Sequence, residues 1–424
     1  MRVLISVAPE KSTFLYAVPL IWALRTAGHE VHVASQSGFA DTITQAGLTA
    51  VPVGRDVPSK WTKLREDPEL LESIRVGIPE PWDVAEFPER AHWERLLEGH
   101  QSVVYQSHKP DNFPMISGLV DYARYWQPDL VLWEPLSYAG PIAAKACGAA
   151  HARLLWSVDV FGVTRQTFVR LRDQQPEGRR ADPLADWLGS YARKYGGEYT
   201  EDMAVGHFTI DQFPRGLQIE AEGLHYIRTQ YIPYGGPAVI PDWLREPPKR
   251  PRVALTLGLT ATEVFNGYNI PLSEILDSLG DLDIELVATI AEAEQRKLTS
   301  VPDNTRLVTY VPWHALVSTC DAVINHAGAA TLATTARQPI PQLTLPFHFD
   351  QPVLGRKLAE HGAGLNIPST EATGHNIREA VQRLLTEPRF RHRATDLRDE
   401  IHSTPTPNEL VPQLEQLTTK HRPR

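Results

Sequence analysis

Short apolar runs alternate with longer amphipathic stretches along the chain, break off once, and then resume. Residues 3–7 and 130–133 are continuous apolar runs of strand length, the pattern of a strand covered on both faces in a parallel sheet. Residues 17–27 carry apolar positions at helical spacing. Gly28 follows them, where a left-handed C-cap carries no Cβ penalty. Residues 32–34 read as a second strand, residues 140–147 as a helix and residues 153–156 as a further strand. Between these, residues 56–127 are rich in tryptophan, proline and charge and show no clear period. They are expected to form helices and loops built over the sheet, covering a substrate.

The break falls at residues 234–251, which hold five prolines and two glycines. Proline at that density interrupts regular structure and stiffens a connector, so this stretch reads as an interdomain linker. A second strand–helix alternation follows, with strands near residues 253–257, 285–289, 305–309 and 322–325, and a last amphipathic helix near 407–420. Alternation of this kind specifies α/β domains with parallel sheets. The expected organisation is a domain over 1–233, the linker, a second domain over 252–405, and a terminal helix in 406–424.

Length supports the division, because 424 residues exceed the usual single-domain range. A net charge of −9 with acids and bases interleaved offers no basic patch, so nucleic acid is not an expected partner. The two cysteines, Cys147 and Cys320, are too far apart to suggest a disulfide scaffold or a metal-ligand pair. The N-terminal apolar run is too short for a signal peptide, and no run approaches the ~20 residues of a spanning helix. A cytoplasmic protein is expected.

Candidate chemistry concentrates in two places. Val323-Ile-Asn-His-Ala-Gly-Ala-Ala-Thr-Leu332 reads as a buried strand, a small-residue turn carrying His326, and a helix opening at about Gly328. Backbone N–H groups of Ala329, Ala330 and Thr331 at such a helix start suit a phosphate, and His326 adds a second donor. Asp350-Gln351 then offers a carboxylate and an amide to hydroxyl groups. A diphosphate and a polyol recognised side by side describe a nucleotide sugar.

These stretches resemble the donor signature of inverting GT-B glycosyltransferases, written His-His-Gly-Gly-Ala-Gly-Thr and followed by Asp-Gln. The similarity runs nearly end to end through Ala27-Gly-His-Glu-Val31, Pro128-Asp-Leu-Val-Leu-Trp-Glu-Pro135, Thr256-Leu-Gly258 and the tail from Pro405. It is strongest to actinobacterial enzymes that attach TDP-deoxysugars to polyketide antibiotics, such as desosaminyl- and mycarosyltransferases. The resemblance implies two Rossmann-like domains facing a cleft, with the last helix crossing back to the first domain. It also implies a TDP-deoxysugar donor, a polyketide aglycone acceptor, no metal and no other cofactor. A helper protein resembling a haemless cytochrome P450, or a homodimer, is a possible partner.

By the same resemblance Gly258 and Thr260 face the diphosphate, and Trp313 stacks on the nucleobase. Asp350 and Gln351 bind the sugar, the glutamine pointing to a donor that keeps a 3- or 4-hydroxyl. Bland alternatives stand beside these: a capping or core role for His326, an N-cap for Asp350, a threonine cap for Thr260, a core tryptophan for Trp313. The chain departs from the pattern at Asn325, which replaces the first histidine, and at Ala327 and Ala330, which replace glycines. The added methyl groups are expected to narrow the backbone angles and crowd a phosphate.

A larger departure concerns the base. Thr13 stands where the family places a histidine in the loop after the first strand, and it cannot take a proton near neutral pH. Glu10 in that loop and Glu134, just after the strand at 130–133, are the candidate replacements, with a helix cap and a solvated acid as the alternatives. A carboxylate base suits a phenol, which ionises far more easily than an alcohol. That favours an aromatic acceptor and leaves C-glycosylation open beside O-transfer to a macrolide hydroxyl. A catalytically impaired partner homologue is a further alternative, and an epimerase on the same architecture lacks positive support. His29 reads as structural, and Asp159 as an acid that nothing distinguishes from a surface one.

Overall fold

The apolar run at residues 3–7 forms β1 (Arg2–Ser6), buried from its second residue onward. In the computed structural model, which describes residues 1–58, 69, 71, 77–258, 260–265 and 267–422, β1 lies between two parallel neighbours, β2 (Glu30–Ser35) and β4 (Leu130–Trp133). Strands β3 (Thr49–Pro52), β5 (Ala150–Leu154), β6 (Phe208–Asp211) and β7 (Tyr226–Arg228) complete a sheet in the order β3-β2-β1-β4-β5-β6-β7. All its pairings are parallel, so each connection crosses a face and a helix layer covers it.

The second half repeats the plan with β8 (Arg252–Thr256), β9 (Glu285–Thr289), β10 (Thr305–Val308), β11 (Ala322–Asn325), β12 (Gln342–Thr344) and β13 (Gly364–Asn366), ordered β10-β9-β8-β11-β12-β13. Chain order reverses between β1 and β4 in the first sheet and between β8 and β11 in the second. Ligands of open parallel sheets bind beyond the carboxyl ends of strands at such reversals. Four of the candidate groups follow those four strands, while Trp313 follows β10 and Asp350 and Gln351 follow β12. Thr13 and Glu134 follow β1 and β4; Gly258 and His326 follow β8 and β11.

Three expectations about elements change. The helix expected at 17–27 begins earlier, at Lys11–Thr26, and spans the interior Pro19; Gly28 does take the left-handed conformation, at φ +90. The loop after β1 is correspondingly short, and Thr13 lies in the first helical turn. Within the stretch expected to be loops and helices over the sheet, 59–68, 70 and 72–76 lie outside the described residues. The rest includes Trp93–Val103 and Lys109–Trp126, and the latter buries Met115, Ile116, Leu119 and Val120 against Leu4, Val131 and Trp133. That helix is an ordinary sheet-covering layer. Its two prolines, Pro110 and Pro114, and Gly118 hide its period in the sequence.

Residues 234–251 run between β7 and β8 with one short 3-10 turn, Asp242–Arg245. The last helix, Pro407–His421, starts with a capping box between Thr406 and Glu409. It buries Leu410, Val411, Leu414 and Leu417 in the core beneath β1, so the chain does cross back to its first domain. His29 is structural: Nδ1 lies 3.1 Å from the N-terminal amine and Nε2 3.1 Å from Glu415 of that helix.

Candidate active site

The turn after β11 is shaped by its two glycines and its asparagine. A Cβ placed on Gly258 would lie 2.6 Å from His326 Nε2, and one on Gly328 would lie 2.2 Å from it. The imidazole is therefore clasped between two backbone segments that only glycine leaves open. Gly258 also needs glycine for its φ of +73. Burial pushes the His326 ring down to about 4, against a smaller pull from the Thr256 backbone, so it is neutral at pH 7. A neutral imidazole has one N–H, for which the Thr256 carbonyl is an acceptor in this structure.

Asn325 replaces a histidine in a way that supports the other change. Its Oδ1 accepts from the Ala327 amide at 2.7 Å and its Nδ2 donates to Gln342 Oε1 at 2.8 Å. Ala327 sits at φ +59, a left-handed conformation that costs a non-glycine residue about 1 kcal/mol. The asparagine's turn-closing bond holds that conformation. The Ala327 methyl is fully buried in the apolar cluster between the domains, so its cost is backbone strain; the expected crowding of a phosphate does not arise at this position.

Gly328 is the N-cap of Ala329–Ala336, and no side chain caps this helix. The first intrahelical bond runs from Leu332 N to Gly328 O, which leaves the amides of Ala329, Ala330 and Thr331 without helical partners. An uncapped helix start with a neutral imidazole beside it presents free amide N–H groups and the positive end of the helix dipole, a chemistry suited to anions. Half-buried Trp313 donates from Nε1 to Thr335 Oγ1 on the same helix at 3.2 Å. The Thr260 side chain lies outside the described residues.

Asp350 occupies the N-cap position of Gln351–His361 but makes no capping bond. Its Oδ2 instead accepts from the Ser157 hydroxyl, which comes from the other domain. Burial raises its carboxyl to about 6 against the opposing pull of that serine. Gln351 is partly engaged within its own turn. Its Oε1 accepts from the Phe347 and His348 amides at 3.2 and 3.3 Å, so only its Nε2 remains for a sugar. The same turn strains Phe349 to φ +50 and places its ring near Trp82, Trp156 and Phe161, with centroids 5.9–6.2 Å away. None of these aromatic positions was singled out by the sequence pattern.

On the facing side, Glu134 and Thr13 line one small cavity with Tyr16, Trp133 and Trp156. Glu134 is buried, and its Oε2 accepts from the Leu136 amide at 3.0 Å and Trp156 Nε1 at 3.3 Å. Glu10 is a helix N-cap: Oε1 accepts from Ser12 N at 3.5 Å and Ser12 Oγ at 3.1 Å. The Thr13 hydroxyl donates to Glu10 O at 3.0 Å. Glu134 is thus the carboxylate that the fold places with Thr13 at the strand-order reversal, whereas Glu10 serves its own helix.

Asp159 is the opposite of a surface acid. It is fully buried, pairs through both oxygens with Arg153 at 3.0 and 2.7 Å, and accepts from Tyr226 OH at 2.7 Å. Among the described residues one group has metal-ligand spacing, His151, Asp202 and His207. Its protons argue for a structural role. Trp133 Nε1 donates to His151 Nδ1, and the His151 amide donates to His207 Nδ1. With both Nδ1 atoms accepting, each ring carries hydrogen on Nε2, facing Asp202 at 3.0 and 3.6 Å. Burial works against the Asp202 charge, but the His151 and Thr200 hydrogen bonds outweigh it and hold the carboxyl well below its ordinary range.

The sequence matches the model of erythromycin biosynthesis protein CIII-like, N-terminal domain, over residues 22–258, and that of its C-terminal domain over 273–417. The chain belongs to this glycosyltransferase family. Over its full length it is 44% identical to the 10-deoxymethynolide desosaminyltransferase of Streptomyces venezuelae, covering 98% of that protein. It is 41% identical to the aclacinomycin-T 2-deoxy-L-fucose transferase of Streptomyces galilaeus, covering 97% of it. The solved glycosyltransferase VinC, in complex with dTDP, superposes with a TM-score of 0.88 at 36% identity, over 99% of this chain and 100% of that one. The fold is GT-B, with one strand-order reversal between β1 and β4 and the other between β8 and β11. No described helix of this glycosyltransferase is long and apolar enough to cross a membrane.

Proposed function

We propose that this enzyme transfers a deoxyhexose from a TDP-sugar to a hydroxyl of a polyketide aglycone, with inversion and without a metal. The observation that carries the reading is the His326 ring clasped by Gly258 and Gly328 at an uncapped helix start, with Asp350 on the next turn. The diphosphate accepts from the Ala329–Thr331 amides and from His326, which stabilise its charge as the anomeric C–O bond breaks. The acceptor oxygen forms its bond to that carbon from the opposite face, and Glu134 takes its proton. The Trp82, Trp156, Phe161 and Phe349 rings offer the aglycone an apolar wall beside Glu134. The names of the desosaminyl and deoxyfucosyl relatives and the dTDP bound to VinC support this donor and acceptor class.

The enzyme acts in the cytoplasm. Tyr105, Phe113 and Tyr125, in and beside the helix Lys109–Trp126, are exposed aromatic side chains for a helper protein to engage. The test is a transfer assay with TDP-deoxyhexoses and with macrolide and aromatic aglycones, with EDTA and with or without such a helper. The expected product has gained one deoxyhexose, has the inverted anomeric configuration, and loses the sugar in acid. An acid-resistant linkage would establish C-transfer instead. Binding of donor without turnover under every condition would favour a partner role. Glu134→Gln should lower kcat by roughly a hundredfold or more and leave dTDP affinity unchanged.

A further inference from the structure

Asp350 is expected to read the sugar, yet among the described residues its carboxylate takes no side-chain hydrogen bond from its own domain, only one from its own backbone. It forgoes the capping bond its position allows, and its Oδ2 is taken by Ser157 from across the cleft, 193 residues away in sequence. We propose that Ser157 is a positioning residue of the donor-sugar subsite, contributed by the acceptor-binding domain, which aims the Asp350 carboxylate at a sugar hydroxyl. The inference rests on the donor-site reading above and adds a residue from the opposite domain to it.

The loop that carries Ser157 is built to hold still. Gln218 Nε2 donates to Ser157 O at 3.4 Å, and Gln218 Oε1 accepts from the Asp159 amide at 2.9 Å. Asp159 is in turn locked to Arg153, so the segment is tied to β5 by a buried ion pair. The preceding residue extends the same logic to the acceptor side, since Trp156 Nε1 donates to Glu134. Two consecutive residues therefore hold the carboxylate that would take the acceptor's proton and the carboxylate that would bind the donor's sugar. That arrangement couples the two halves of the reaction through one short rigid segment.

The hydrogen count suits a sugar. The serine hydroxyl has one hydrogen, given to Asp350 Oδ2, and retains lone pairs that can accept from a sugar hydroxyl. Asp350 Oδ1 is left as the second acceptor. Burial favours the neutral form of Asp350 and the Ser157 bond favours the charged form, so deleting the hydroxyl shifts the acid further toward neutrality. Tyr16, the titratable group that faces Asp350 from the first domain, is buried and held neutral.

The test compares Ser157→Ala and Ser157→Thr with the native enzyme, alone and in an Asp350→Asn background. It reads donor kcat/KM against pH, dTDP affinity and melting temperature. Ser157→Ala should lower donor kcat/KM roughly ten- to a hundredfold. The acid limb of its pH profile should move upward, with dTDP affinity changed by less than about twofold. Ser157→Thr should recover most of the loss, and Ser157→Ala should have little effect once Asp350 is Asn. Unchanged donor kcat/KM in Ser157→Ala would overturn the proposal. So would a parallel loss of dTDP affinity and melting temperature, which would make the serine merely structural. A native chain that binds no dTDP would sink the donor-site reading itself, and this one with it.

Discussion

Gly328→Ala isolates the clasp around His326. Gly328 has φ −62, which any residue adopts, so the substitution adds no backbone strain and its cost is local. The new methyl would lie 2.2 Å from Nε2, where an ordinary contact is about 3.5 Å, so the ring must move by ~1 Å. It cannot recede freely, because Gly258 closes the other side and the ring is 9% exposed. Overpacking of this kind costs ~1–3 kcal/mol, and alanine at an N-cap adds ~1 kcal/mol. The C-terminal domain should therefore melt roughly 5–15 °C lower. Displacing a donor to a charged diphosphate should weaken dTDP ~10- to 100-fold, read by calorimetry. In a His326→Ala background the overpacking disappears, and Gly328→Ala should cost only the cap, ~1 kcal/mol. Equal costs with and without the imidazole would refute the clasp.

Two further predictions concern the same turn. His326 is pushed from 6.5 down to about 4, so as pH falls through that window the unfolded chain gains a proton that the native state refuses. This contribution is present in full above 6.5 and is lost toward pH 4, worth ~3 kcal/mol at most. Asp350, raised from 3.8 to about 6, acts oppositely: its stabilisation is present below 3.8 and lost as pH rises through about 6. Denaturation between pH 4 and 7 should therefore show His326→Gln losing stability as pH rises where the native chain is flatter; identical slopes would contradict the assigned burial. Asn325→Ala should cost ~2–3 kcal/mol by unbracing Ala327 and orphaning Gln342, with Ala327→Gly recovering about 1 kcal/mol of it in a thermal melt.

Much of this was legible in the sequence wherever burial is continuous. β1, β4, β8 and β11 are covered on both faces and appear as unbroken apolar runs, and the groups that follow them are the candidate chemistry. The edge strands β7 and β13 carry no signal because they have only three residues each, too few for any period. β5 was placed a few residues late because its residues Ala150–Leu154 include His151 and Arg153, polar groups satisfied by distant partners. Long-range contacts decide the rest. Asp159 looks ordinary until Arg153 and Tyr226 surround it, and Ser157 carries no local signal because its partner lies in the other domain. Phe349 could not be anticipated, since a bulky side chain at positive φ is disfavoured locally and is held there by the surrounding fold.

The most direct test of the account is calorimetric titration of dTDP and UDP into the native enzyme and into His326→Ala. The turn after β11 should bind dTDP in preference to UDP, and removing the imidazole should weaken dTDP at least tenfold, ~1.4 kcal/mol or more. Equal dTDP affinity in the two proteins would remove His326 from the diphosphate site. No binding of either nucleotide to the native enzyme would contradict the donor site altogether.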